Sequence, residues 1–232
     1  MKKSAKPVSN KGILLVDKAS GSTSFHLVSL LRRLTGVEKI GHAGTLDPLA
    51  TGVMVMLIGK DYTRRSNEFL GCDKEYRATM HLGIATDTYD VEGSVVSRSE
   101  KIPTAEEIRA ALAAFSGQIA QIPPMYSAKK VNGKKLCDLA RKGIVIERQP
   151  ALVNVEIALL SNHYPMLEVN VVCSKGTYIR SLAHDIGQFL GCGAHLFELS
   201  RIRSGPFKLE ECISQKQLHA KEFDLSPYLR RL

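Results

Sequence analysis

The chain lacks the patterns that would tie it to a metal, a membrane or an oxidising compartment. Its five cysteines, Cys72, Cys137, Cys173, Cys192 and Cys212, form no CxxC pair and stand 19 to 65 residues apart, so neither a zinc site nor a disulfide framework is indicated. They read as reduced thiols of a cytoplasmic protein. No window approaches the roughly eighteen apolar residues of a membrane span, and the apolar stretch 13–16 behind a basic start is too short for a secretion signal. Clustered carboxylates of the kind a divalent ion requires are missing too, which sets a metal-dependent nuclease aside. His184 and His195 have no ligand-like spacing with Asp or Cys and read as core or surface imidazoles. No repeat or low-complexity linker divides the chain, so it reads as one α/β domain.

What is abundant is positive charge. Lysine and arginine number 32 against 23 acids, a net +9 that favours a polyanionic partner. Over residues 129–148, seven cations (Lys129, Lys130, Lys134, Lys135, Arg141, Lys142 and Arg148) face only Asp138 and Glu147, a net +5 in twenty residues. That segment reads as a basic arm for RNA phosphates, with Tyr126 as a stacking surface and Asn132-Gly133 as a tight turn. Arg201, Arg203, Arg230 and Arg231 are the alternative cations should the arm be only a solvated face.

The rest is organised around GHAGTLDPLATG, residues 41–52. Three glycines in twelve residues permit positive φ and close approach, and Pro48 pushes Asp47 out of helical geometry. The apolar run 53–58 that follows reads as a buried strand, so Asp47 and His42 sit on irregular backbone anchored to a rigid element. By itself, an Asp before Pro is more often a turn or cap residue, and a His beside Gly a surface imidazole.

In chain order, 12–18 reads as a strand and 25–35 as a helix with Leu27, Val28, Leu31 and Leu34 on its buried stripe and Gly36 as its stop. Residues 75–83 alternate, which puts Tyr76 with Ala78, Met80 and Leu82 on a core face. Residues 87–93 read as an acidic loop, and Thr104 to Glu107 as a capping box opening a helix. Residues 152–160 and 167–173 are strand-like. Residues 174–180 read as a turn into a helix with Ile179, Leu182, Ala183, Ile186 and Phe189 or Leu190 inward and Gly191 as its stop. Arg180 stands in that helix's first turn, where the dipole disfavours a cation, so a carboxylate or phosphate partner is expected. After Gly191 the chain reads as a glycine-punctuated return to a final short strand or helix.

Five ordered motifs carry a resemblance. GHAGTLDPLATG is similar to the central motif of the tRNA pseudouridine-55 synthases, the TruB family. Asp17-Lys18 with Gly21-Ser22-Thr23-Ser24 resembles the family's DKPxGxTS, with Ala19 in place of its proline. KEYR (74–77), IPPMYSA (122–128) and SKGTYIR (174–180) resemble the remaining three. The resemblance implies an α+β catalytic domain with a large mixed, mainly antiparallel sheet flanked by helices and a basic arm inserted near 123–148. It places that domain at 12–232, behind a basic flexible tail at 1–11, with no C-terminal PUA domain in this chain. It implies an isomerase that flips a T-loop uridine of tRNA into a pocket, needs no cofactor and no metal, and works as a cytoplasmic monomer without membrane contact. By that resemblance Asp47 is the nucleophile, and Arg180 pairs with Asp47 and keeps it ionised. By the same resemblance Tyr76 stacks on the uracil, His42 supports the opened RNA loop, and Tyr178 and Leu199 line the base pocket, while the charge of the arm makes Lys129 and Lys130 its phosphate-gripping candidates. The competing function is a catalytically silent tRNA-binding or RNA-folding protein on the same fold.

Overall fold

The computed structural model describes residues 10–131, 133–220 and 223–231 and, at Lys135, the main chain alone. Most of the expected tail at 1–11, and Asn132 of the expected turn, lie outside the described residues. The chain forms two compact units, one from the described residues of Met1–Cys72 and Ser200–Leu232, the other from Asp73–Leu199.

The first unit begins with β1 (Gly12–Lys18) and α1 (Ser24–Thr35), followed by β2 (Ile40–His42) and β3 (Thr51–Ile58). Two short helices, α2 (Lys60–Thr63) and α3 (Ser66–Leu70), close this portion. The Thr23 hydroxyl accepts from the His26 N–H to cap α1, and Gly36 ends it at φ 68°, a left-handed conformation that glycine adopts without a Cβ penalty. Leu34 is 36% exposed and Leu30 only 4%, so the buried stripe runs through Leu27, Val28, Leu30 and Leu31.

The second unit opens with β4 (Lys74–Leu82), β5 (Ile84–Thr86), β6 (Val95–Arg98), α4 (Ala105–Ala114) and β7 (Gly117–Gln121). The basic arm follows as a small hairpin, β8 (Lys130–Val131) and β9 (Lys134–Lys135), and a one-turn helix, α5 (Leu136–Ala140). Then come β10 (Ala151–His163), β11 (Met166–Cys173) and α6 (Ile179–Leu190). The chain returns to the first unit within β12 (Ala194–Ser204), an eleven-residue strand where the sequence reads only as a glycine-punctuated return, and ends with β13 (Phe207–Lys208) and β14 (Ile213–Ser214). No described helix is long and apolar enough to cross a membrane.

Pairing is mixed in the first unit. Strand β1 runs antiparallel to β3 and parallel to β14, while the end of β12 lies parallel to β3 with Arg201 opposite Gly52. In the second unit β4, β11, β10 and β7 form an antiparallel series, with Tyr76 opposite Val171. Strand β4 buries Lys74, Tyr76, Ala78, Met80 and Leu82, the alternation that its sequence dictates. On α6, Leu190 is 2% exposed and Phe189 56%, so Leu190 completes the stripe.

Gly52 shows how tightly β3 and β12 meet. Its φ is +102°, and a Cβ there would collide with the main chain of Arg201. Gly52→Ala should therefore cost about 2–4 kcal/mol from backbone strain and overpacking together. Urea unfolding of the variant checks this, and an unchanged midpoint would contradict it.

Candidate active site

The loop carrying Asp47 is held by main-chain bonds from three directions. Lys18, fully buried at the end of β1, donates from Nζ to the carbonyls of Ala19, Ser22 and Pro48 at 2.9, 2.6 and 3.1 Å. Gly21 N–H also donates to Pro48 O at 2.9 Å. Ser24, the first residue of α1, bonds Leu46 on both sides, its Oγ accepting from Leu46 N at 3.0 Å and donating to Leu46 O at 3.1 Å. From β12, Arg201 donates through Nε to Val53 O at 2.7 Å and through Nη2 to Gly44 O at 3.1 Å. Gly44 stands at φ +105°, which only glycine adopts readily.

The motif at 17–24 thus acts as scaffold for the motif at 41–52. Asp47 itself is half-buried, in non-helical backbone between Leu46 and Pro48, with Ala50 N–H donating to its carbonyl at 3.1 Å. His42, at the end of β2, has a buried Nδ1 without a hydrogen-bond partner, and burial followed by the nearby Arg201 charge lowers its pKa. A neutral imidazole is the form that such a setting favours. Arg201 is 1% exposed, so it belongs to the loop's support and not to the phosphate-gripping cations.

In the second unit, three stretches converge on Arg180. Its side chain is 6% exposed and lies 3.3 Å from the Asp90 carboxylate, itself 4% exposed. Arg180 also donates to Thr88 O at 3.2 Å and Tyr126 O at 2.6 Å. Asp90 further accepts from the Thr88 hydroxyl at 2.6 Å and the Glu92 N–H at 3.1 Å. A carboxylate beside a cation in the first turn of α6 is what the helix dipole requires. Next to it, the Gln121 side chain accepts from Tyr178 N–H at 2.7 Å and donates to Tyr178 O at 3.1 Å, and Ser181 Oγ donates to Ile122 O. These bonds fasten the 122–128 motif to the start of α6.

Within this unit Tyr76 and Leu199 are each 8% exposed and Tyr178 is half-buried. Lys129 is half-buried and Lys130 exposed at the arm's hairpin, whose turn contains Gly133 at φ +77°. Arg148 donates to Pro123 O at 3.1 Å, so it ties down the arm's root. Asp47 and His42 belong to the first unit, and Arg180, Tyr76, Tyr178, Leu199 and both lysines to the second.

Sequence reasoning missed Asp90, Thr88, Gln121 and the structural roles of Lys18 and Arg201. The only signal for Asp90 was an acid within a turn-rich stretch, together with the unmet need of Arg180 for an anion.

Also on α6, burial pushes the Asp185 carboxyl up to about 6 from its ordinary 3.8. A folded-state pKa above the unfolded one means that the native state holds the proton longer, so stability falls as pH rises from about 4 to about 6. Asp185→Asn should flatten that portion of the stability profile, measured by urea unfolding between pH 4 and 7. A profile parallel to wild type would contradict it.

Comparison with known proteins decides the family. Residues 32–179 match the model of the TruB family pseudouridylate synthase (N terminal domain), and 180–232 that of the tRNA pseudouridylate synthase B C-terminal domain. The chain belongs to the TruB family. It is 58% identical to the tRNA pseudouridine synthase B of Chlamydia abortus, over 95% of this chain and 94% of that one. Against the synthase of Francisella tularensis it is 45% identical, covering 92% of this chain and 71% of the other. Among solved structures it is similar to a chain of the Cbf5-Nop10-Gar1 complex, with a TM-score of 0.71 and 32% identity over 90% of this chain. It spans about half, 54%, of that longer chain. As a TruB pseudouridylate synthase the protein is an isomerase, with the mixed α/β fold of its family.

Proposed function

We propose that this TruB enzyme converts the T-loop uridine at position 55 of tRNA to pseudouridine, with Asp47 as its nucleophile. The bond from C1′ to N1 breaks, the base turns within its pocket, and C1′ bonds to C5. The C5 hydrogen is released and N1 gains one, so atoms balance without redox chemistry. The observation that carries the reading is the anchoring of the main chain around Asp47, at Gly44, Leu46 and Pro48, by Arg201, Ser24 and Lys18 on a loop of TruB sequence. A carboxylate on irregular backbone whose flanking main chain is anchored by buried donors suits a nucleophilic role. tRNA as substrate is supported by the names of relatives at 58% and 45% identity.

In this reading Arg180 pairs with Asp47 and keeps it ionised, Tyr76 stacks on the uracil, and Tyr178 and Leu199 enclose it. His42, neutral, supports the RNA loop from which the base has left. Lys129 and Lys130 on the arm meet phosphate. The catalytic domain occupies 12–232 and acts as a monomer in the cytoplasm. Incubating an unmodified tRNA transcript with the protein and mapping pseudouridine by position tests this. Product at the T-loop uridine is expected, and tight binding without product would favour an RNA-folding protein.

The arm yields a separate prediction. Changing Lys129, Lys130, Lys134 and Lys135 together to Gln should weaken tRNA binding and flatten its salt dependence, by about 0.7–0.9 in log-log slope for each phosphate no longer neutralised. The rate at saturating RNA should change much less. An unchanged slope would make the arm a solvated surface.

A further inference from the structure

Among the described residues Tyr89 alone of the non-glycines stands at positive φ, at 66°. A bulky aromatic side chain disfavours that conformation, and its surroundings must enforce it. Its neighbours explain why the turn matters. Thr88 contributes the carbonyl and Asp90 the carboxylate that Arg180 engages, so the reversal at Tyr89 lets two successive flanking groups face one guanidinium.

Two hydrogen bonds and a ring stack hold the reversal. Tyr89 O accepts from Leu196 N–H at 2.9 Å, and Val91 N–H donates to Leu196 O at 2.9 Å. The Tyr89 ring stacks on the His184 imidazole, with centroids 3.9 Å apart and planes 17° from parallel. His184 follows Arg180 by four residues on α6, so both occupy one helical face. Its Nδ1 is buried without a partner, and burial lowers its pKa, so the ring stacks in the neutral form. The circuit is closed: α6 presents Arg180, Arg180 binds the loop, and the loop's ring returns to α6 through His184.

We propose that Tyr89 and His184 are positioning residues that fix Arg180 by clamping the 88–90 loop to the helix that carries it. The inference rests on the role of Arg180 in the proposed reaction. Tyr89→Gly removes the ring while permitting the same φ, Tyr89→Phe keeps the ring, and His184→Ala removes its partner. Single-turnover pseudouridine formation and tRNA affinity are measured for each, and for Tyr89→Gly/His184→Ala. The chemical rate should fall about tenfold in each of Tyr89→Gly and His184→Ala. It should fall no further in the double variant and stay near wild type in Tyr89→Phe, with affinity unchanged throughout. A wild-type rate in Tyr89→Gly, losses that multiply in the double variant, or a loss confined to affinity would overturn the proposal.

The 15N resonance of Arg180 Nε in the RNA-free protein gives a readout independent of turnover. It should broaden or shift in Tyr89→Gly and His184→Ala but not in Tyr89→Phe, and an unchanged resonance in all three would overturn the clamp. Absence of product with the wild-type protein would instead overturn the functional reading, leaving this resonance to decide the clamp.

Discussion

Asp47→Asn should reduce single-turnover pseudouridine formation by at least about a thousandfold while tRNA binding persists. The substitution keeps the side chain's volume and removes its charge. Bonds described for the loop run through main-chain groups of Gly44, Leu46 and Pro48, reached from Arg201, Ser24 and Lys18, and an asparagine leaves all of them in place. The loss is therefore expected in the chemistry, with the fold intact. Equal tRNA dissociation constants and equal unfolding midpoints for wild type and variant would establish that separation. A variant rate near wild type would remove Asp47 from the reaction.

Arg180→Met should be damaging in two ways. It removes the cation beside Asp90, whose side chain is 4% exposed, and strands a carboxylate where water cannot resolvate it. It also abandons the carbonyls of Thr88 and Tyr126. Breaking a buried pair from one side costs about 3–5 kcal/mol, which for a chain of this size lowers the thermal midpoint on the order of 10 °C. Adding Asp90→Asn to Arg180→Met should restore part of that stability, since no buried charge then lacks a partner. Turnover should remain severely reduced in both. A single variant as stable as wild type would show that the ion pair contributes little, and a fully active one would remove Arg180 from the site.

Local rules made much of the fold legible. Strand β1 and helix α1 keep their expected bounds within a residue, and α6 ends at its expected stop, because left-handed glycines at 36 and 191 end both helices. The capping box at Thr104 and Glu107 is present for the same local reason. The sequence could not show which charges would be buried. Lys18, Arg201 and Asp90 look like ordinary solvated residues until partners at Pro48, Gly44 and Arg180 are brought to them, across 30, 157 and 90 positions of chain. Long-range bonds of that kind leave no periodic trace. For the same reason β12 emerges as a long strand, since pairing across the sheet overrides its glycine-flanked, polar sequence.

The motifs pointed to Asp47, Arg180 and Tyr76 through resemblance, whereas single-residue reasoning placed an Asp before Pro in a turn and Tyr76 in the core. Tyr76 is indeed 8% exposed, so its burial and its proposed stacking role coexist on one inward face of β4.

The most direct test of the central claim uses tRNA transcripts carrying tritium at C5 of every uridine. Bonding of C1′ to C5 expels that hydrogen, so isomerisation is counted as tritium released. Wild-type protein should release one equivalent per tRNA and none from a transcript with cytidine at the T-loop position, and Asp47→Asn should release none from either. Release by Asp47→Asn, or from the cytidine-substituted transcript, would contradict it.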